Sequence, residues 1–282
     1  MARSEAPASA AGTIALGGET VVNRMGFGAM RLTGAGVWGE PRDRETAKRV
    51  LQRAVELGVN FIDTADSYGP HVSEQIIAEA LHPYPADLVI ATKGGLVRPG
   101  PDEWVRDGRP EHLRRACESS LKNLRKECID LYQLHAIDPK VPLEDSLGEL
   151  IKLQAEGKIR YIGVSNFTVP DLERARRVAT IVSVQNRYNA GDRRYDDVID
   201  YCEQHAMAFI PWYPLSAGEH AKQSSAASEL EDIARERKAT MAQAALVFLL
   251  SRSPIVLPIP GTSSVEHLEE NVAAASKVGN GT

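Results

Sequence analysis

Between residues 25 and 275 the sequence alternates eight times between a short apolar run and a longer segment with helical spacing. The runs are MGFGAM (25–30), NFIDTA (60–65), LVIATK (88–93), IDLYQLH (129–135), YIGVSN (161–166), IVSVQNRY (181–188), AFIPWY (208–213) and IVLPIP (255–260). In the segment 43–58, Ala47, Val50, Leu51, Ala54 and Val55 fall on one helical face and Gly58 supplies a C-cap. Pro110 is placed to start the helix over 110–126. Further helices are expected over 72–82, 143–158, 169–179, 195–206, 228–238, 241–252 and 265–275. Nearly continuous apolar runs are the mark of parallel strands buried on both faces. Eight β-α units of about 30 residues make roughly 240 residues, the size of one (β/α)8 TIM barrel. The expected fold is therefore α/β, a single barrel domain over 13–275. TIALG and TVVNR around Gly17–Gly18 add an N-terminal β-hairpin, and residues 1–12 and 276–282 read as disordered tails. A doubly wound dinucleotide fold is the structural rival. It needs G-x-G-x-x-G after the first strand, where this chain has only Gly26-Phe27-Gly28 followed by Met30 and Arg31.

Composition removes several function classes. The net charge of −5 lacks the basic face of a nucleic-acid binder. The 43% hydrophobic and 25% charged content is that of a globular chain. The longest apolar runs, such as AALVFLL (244–250), fall well short of the roughly 20 residues that span a bilayer. Cys117, Cys128 and Cys202 form no C-x-x-C pair, which fits a reducing compartment without a disulfide framework or cysteine zinc site. The seven histidines are dispersed with no H-x-x-x-H, so no metal is expected. The first dozen residues have no signal-peptide core, and the expected location is the cytoplasm.

Catalytic groups of such a barrel sit at the C-terminal ends of its strands. There the sequence places Asp63, with Tyr68 in the loop beyond it, Lys93, His135, Ser165-Asn166, Gln185 and Trp212-Tyr213. Each has an ordinary reading alone: Asp63 as a cap, Tyr68 as a loop aromatic, Lys93 as a solvated cation, His135 as a structural histidine. Their joint placement suits proton transfer to a carbonyl oxygen. A phenol has a pKa of about 10, and a nearby lysine cation stabilises its phenolate. A carboxylate then fixes the lysine, and a histidine can hydrogen-bond the substrate oxygen.

The stretches FIDTADSYG (61–69), ATKGG (91–95), LYQLH (131–135), GVSNF (163–167), SVQNRYN (183–189), PWYPL (211–215) and IPGTSSVEHLEEN (259–271) resemble the aldo-keto reductases. The resemblance runs from about residue 13 to 275 and implies NAD(P)H-dependent reduction of aldehydes or ketones to alcohols, without metal. It makes Tyr68 the general acid, Lys93 and Asp63 the pair that tunes it, and His135 the group that orients the substrate. Ser165, Asn166 and Gln185 match the holders of the nicotinamide carboxamide, whose donors and acceptors suit a primary amide. Trp212 stands where the family usually has a stacking tyrosine, and Tyr213 where serine is usual. Gly28, Ala29 and Met30 also match the cofactor cradle, as do Pro214, Leu215, Ser216 and Gly218. Gly261, Thr262, Ser263, His267, Glu270 and Asn271 match its adenosine end. The lysine and arginine that grip a 2′-phosphate in many relatives are replaced there by Gly261, Thr262 and His267. Relatives of the GTSS form mostly resemble NADP(H) users, so NADP(H) is the expected cofactor and NAD(H) the competitor.

Trp38, Trp104 and Tyr213 are the expected substrate contacts. The short C-terminus suggests an open pocket, and residues 219–227 suggest a loop that closes over the cofactor. GFGAMRL, DSYGPHVSEQIIAEAL and PIPGTSSVEHLEEN are most similar to a bacterial subgroup that includes pyridoxal reductases, which implies a pyridoxal-type aromatic aldehyde as substrate. The resemblance also implies a second reading, a cofactor-binding redox sensor of the kind that forms the β subunit of voltage-gated potassium channels.

Overall fold

The structure, a computed structural model, describes residues 7–215 and 226–279. The chain opens with an antiparallel hairpin of β1 (Thr13–Leu16) and β2 (Thr20–Asn23). The central sheet is built from β3 (Phe27–Gly28), β4 (Phe61–Asp63) and β5 (Val89–Gly94). After it the third loop carries a small antiparallel ribbon of β6 (Leu96–Val97) and β7 (Val105–Arg106). The sheet resumes with β8 (Ile129–Leu134), β9 (Ile159–Ser165), β10 (Ile181–Arg187) and β11 (Ala208–Trp212). Its seven strands are parallel, in the order β3-β4-β5-β8-β9-β10-β11. Between them run α1 (Arg44–Glu56), α2 (Val72–Leu81), α3 (Pro110–Leu124), α4 (Leu143–Ala155), α5 (Val169–Arg176) and α6 (Asp196–Gln204). After β11 come α7 (Ala226–Arg237), α8 (Met241–Arg252) and α9 (Val265–Ala273). Capping boxes start α5, from Thr168 and Asp171, and α8, from Thr240 and Gln243.

The expected eighth strand, 255–260, is not a regular strand. Pro258 and Pro260 have no N–H to give a ladder. The segment still bonds to both edges of the sheet. Leu257 N donates to Phe209 O at 2.9 Å, Gly26 N to Pro258 O at 3.0 Å and Gly28 N to Pro260 O at 3.4 Å. The first run is also shorter than expected, because β3 gives way to a 3₁₀ turn at Ala29–Leu32.

The cores follow the period-two rule of strands. Phe61, Val89, Ala91, Leu131, Ala208 and Ile210 face inward, where Leu16 and Val22 of the hairpin join them. Alternate residues such as Ile62, Ile90, Tyr132 and Phe209 face outward against the helices.

The expected tails are partly ordered. Pro7–Ala11 forms a 3₁₀ turn with Ala8 fully buried and its N–H on Leu57 O at 3.0 Å. Ala274–Lys277 forms another, with Ala274 and Ala275 buried and the Lys277 ammonium on Lys238 O at 2.8 Å. Alanine is small enough to pack these turns into the helical layer, a role that a composition reading takes for a low-complexity tail. Among the described residues no helix is long and apolar enough to cross a membrane, and no group of three side chains is placed to hold a metal.

Candidate active site

Strand parity delivers the polar side chains to one place. Asp63 shares parity with inward Phe61, Lys93 with Val89 and Ala91, and His135 with Leu131. Trp212 follows Ala208 and Ile210 in the same way. Gln185 needs a correction of register. Val182 faces inward, so an unbroken β10 would turn Gln185 out to the helices. A register shift between Ile181 and Ser183 reverses the parity, and Val184 packs outward.

At the centre is a buried ion pair. The Lys93 ammonium donates to Asp63 Oδ2 at 2.6 Å and to Thr64 O at 2.8 Å. The other carboxylate oxygen, Oδ1, accepts from the amides of Gln185 at 2.8 Å and Gln133 at 3.1 Å. Lys93 is 0% exposed, so its charge is screened by this carboxylate rather than by water. The ammonium lies 5.3 Å from the centre of the Tyr68 ring. Tyr68 sits in a turn closed by its N–H on Ala65 O, and its ring meets His135 edge-on at 6.1 Å. Asp63, Tyr68, Lys93 and His135 are thus brought together as the sequence suggests.

Their protonation is set by burial. Burial raises the Tyr68 phenol above its ordinary value, and the Lys93 cation pulls against that rise without reversing it. Tyr68 is therefore a neutral phenol near pH 7, able to donate a proton. Lys93 stays charged: burial would lower it, but Asp63 and then Tyr68 raise it further. His135 is driven well below the usual histidine range by burial and then by Lys93, so it is an uncharged imidazole. Asp66, buried in the same turn, is pushed well above the carboxylate range by desolvation and by Glu74.

A pH profile tests this state. Since the His135 value is lowered, the ring stays neutral as pH falls through about 6.5, the ordinary histidine pKa. Carbonyl reduction is expected to show no inflection there. A rate step near that pH that disappears in His135→Asn contradicts the assignment.

Above these groups lies a cavity of about 520 Å³. Gly28, Met30, Ser165, Asn166, Pro214 and Leu215 line it with Gln185, Trp212 and Gly261. Trp104 and Tyr213 line it as well, but Trp38 does not. Trp38 instead pairs its backbone with Gly69 and lies 5.7 Å from the Arg98 guanidinium. Thr262 and Ser263 line a second cavity that shares Met30, Arg31 and Gly261 with the first. His267, Glu270 and Asn271 belong to α9 and line neither, and Ala29 is packed beneath with its carbonyl on Ser73 Oγ. Ser216, Gly218 and most of the expected closing loop lie outside the described residues.

The polar wall of the cavity is preorganised. Asn166 adopts φ +63°, a conformation asparagine tolerates. Its amide nitrogen donates to His135 O and Ser165 Oγ, both at 3.1 Å. Its oxygen accepts from the Trp212 indole at 3.2 Å, which fixes the tilt of that ring. Gln185 spends one amide hydrogen on Asp63, and its side-chain oxygen takes no partner among the described residues. These groups fit a nicotinamide cofactor: an aromatic face on Trp212 and an open carboxamide on Gln185 that pairs with a primary amide. Gly261 packs directly on Gly28, where a Cβ at Gly261 would come within 2.4 Å of Gly28 O.

Sequence reading missed Gln133 and Arg31. Gln133 pairs in register with Lys93 and shares parity with Leu131, signals present in the strand itself. Arg31 lies one residue past the Gly28–Met30 cradle at the junction of both cavities.

The family model of the Aldo/keto reductase family matches residues 24–278. The chain belongs to the aldo/keto reductase family. It is thus an oxidoreductase that acts on carbonyl groups. An uncharacterized oxidoreductase of Schizosaccharomyces pombe is 52% identical over 274 residues, 97% of this chain and 88% of that one. Pyridoxine 4-dehydrogenase of Escherichia coli is 46% identical over 263 residues, 91% of each chain. The crystal structure of an aldo-keto reductase from Klebsiella pneumoniae in complex with NADPH superposes with a TM-score of 0.78. It is 29% identical, over 93% of this chain and 89% of the other. For this aldo/keto reductase, the matched region contains every side chain of the buried ion-pair cluster.

Proposed function

We propose that the chain is an NADP(H)-dependent carbonyl reductase in which Tyr68 is the general acid. The observation that carries this reading is the neutral Tyr68 phenol beside the buried Lys93–Asp63 pair, with uncharged His135 at the same cavity. The fold assigned with it is one (β/α)8 barrel domain over 13–275, in which 255–260 serves as the eighth stave and the hairpin plugs the opposite end.

A reduced nicotinamide bound here would supply the hydride that the carbonyl carbon takes up. Tyr68 gives its phenolic proton to the carbonyl oxygen, and the phenolate left behind faces the Lys93 ammonium. Asp63 keeps that ammonium charged and immobile, so the cation is in place before the proton moves. Preorganised charge of this kind costs no reorganisation during reaction. His135 offers a hydrogen bond from a neutral ring to the same oxygen. Trp212, Ser165, Asn166 and Gln185 hold the nicotinamide end of the cofactor. Gly261, Thr262, Ser263 and the N-terminus of α9 receive its phosphates, since a helix N-terminus favours an anion. The resemblance of the 259–271 motif assigns the adenosine to His267, Glu270 and Asn271 on α9, beyond both cavities.

Two supports favour a pyridoxal-type aldehyde. The Escherichia coli relative is named for pyridoxine, the alcohol that corresponds to pyridoxal. The aromatic wall of Trp104 and Tyr213 suits a flat ring. NADP(H) is favoured over NAD(H) by the Klebsiella pneumoniae relative that binds NADPH and by the Arg31 cation at the cavity rim. Fluorescence titration tests the preference. NADPH is expected to bind at least about tenfold more tightly than NADH, one extra charge-assisted contact being worth about 1.5–3 kcal/mol. Equal affinities overturn the preference, and binding of neither overturns the cofactor assignment.

A further inference from the structure

Arg98 lies just after β6, in the loop between β5 and α3, and is 8% exposed. A guanidinium has five N–H donors. All five go to main-chain carbonyls, and these belong to three different loops. Nη1 donates to Val37 O at 2.9 Å and Ser67 O at 3.3 Å. Nη2 donates to Gly36 O at 2.8 Å and Gly100 O at 3.4 Å, and Nε to Glu103 O at 2.7 Å. Gly36 and Val37 follow β3, Ser67 immediately precedes Tyr68, and Gly100 and Glu103 are in the loop of Arg98 itself. The same guanidinium lies 3.7 Å from the centre of the Trp104 ring. Trp104 stands edge-on to Tyr68 at 6.3 Å and to His135 at 6.4 Å. Two backbone bonds brace the assembly: Gly39 N to Gly69 O at 2.7 Å, and Asp102 N to Gly36 O at 3.4 Å.

We propose that Arg98 is the positioning residue of the substrate wall, tying three loops to the Tyr68 turn and fixing Trp104 beside the reacting carbonyl. It touches neither proton nor hydride. It acts through Trp104, which selects ring-sized carbonyl substrates over short ones. A lysine cannot replace it, because an ammonium is a point charge with three donors and no plane to stack on the indole. The proposal rests on the carbonyl-reductase reading for its kinetic arm only.

The test compares wild type, Arg98→Lys, Trp104→Ala and the double variant on pyridoxal and on propanal. Arg98→Lys is expected to raise KM for pyridoxal about tenfold or more, since small misplacements of a positioning group cost one to two orders of magnitude. KM for propanal and the Kd for NADPH should each move less than about twofold. Trp104→Ala should reproduce the pyridoxal loss, and adding Arg98→Lys to it should cost nothing further. A spectroscopic arm needs no turnover. With Trp38 and Trp212 replaced by phenylalanine, Trp104 is the only tryptophan. Its acrylamide quenching constant should then rise about twofold on Arg98→Lys as the stacked cation is lost. Additive losses, an equal loss on propanal, or unchanged quenching overturn the proposal. Should Arg98→Lys not fold, a Trp104→Ala enzyme with unchanged KM for pyridoxal overturns it alone. If the wild type reduces no carbonyl, the reductase reading has failed and the quenching result decides the role of Arg98.

Discussion

Tyr68→Phe is expected to lower kcat for carbonyl reduction by about 10²–10⁴-fold, the usual contribution of a positioned general acid. The phenol is a neutral proton donor beside the Lys93 cation and His135, and phenylalanine keeps its shape while removing the proton. Cofactor affinity should be unchanged within about twofold, because the hydroxyl acts on the substrate oxygen and a loss confined to kcat marks a transition-state interaction. Tm should also stay close to that of the wild type, since phenylalanine keeps the ring and its edge-on packing against Trp104 and His135. A variant that retains a tenth or more of wild-type kcat would show that the proton comes from elsewhere, with His135 the next candidate.

Lys93→Met should have the largest effect on stability. The substitution leaves Asp63 buried with only the amides of Gln133 and Gln185, and removes the donor to Thr64 O. Breaking one side of a buried ion pair costs about 3–5 kcal/mol. At roughly 2–4 °C per kcal/mol for a chain of this size, Tm should fall by about 6–20 °C. Activity should be lost as well, since no cation remains to stabilise the Tyr68 phenolate. The two effects separate in a double variant. Replacing the pair by apolar residues is often neutral or stabilising, so Asp63→Leu with Lys93→Met should regain most of the lost Tm and stay inactive. Thermal unfolding and steady-state rates on the same samples decide it. A double variant no more stable than Lys93→Met alone would mean that the pair does not account for the loss.

The candidate catalytic group was legible because its residues stand at the ends of apolar strands. Asp63, Lys93 and His135 end apolar strands at inward positions, and a polar residue at such a point has no packing reason to be there. Gln133 obeys the same rule and could have been read beside Lys93. Gln185 could be placed by its motif but not by parity, because the irregularity at Ile181–Ser183 leaves no mark in the sequence. The interruption of the last strand was visible in Pro258 and Pro260, residues without a ladder donor. Three features were beyond the sequence. Trp38 and Trp104 look alike as loop aromatics, yet Trp104, with the Arg98 guanidinium 3.7 Å from its ring, lines the cavity, and Trp38, bridged to Gly69, does not. Arg98 itself bonds to backbone carbonyls, which every residue has, so no spacing or residue type announces its partners. The protonation of Tyr68 likewise depends on how far burial outweighs one cation, a balance fixed only by the packed site.

The most direct measurement is a single turnover: enzyme loaded with NADPH, mixed with pyridoxal, with NADPH consumption and pyridoxine formation followed together. One pyridoxine formed per NADPH oxidised, at a rate that collapses in Tyr68→Phe, is the predicted result. NADPH that binds tightly but is not consumed with pyridoxal or 4-nitrobenzaldehyde would contradict a carbonyl reductase and favour a cofactor-binding sensor.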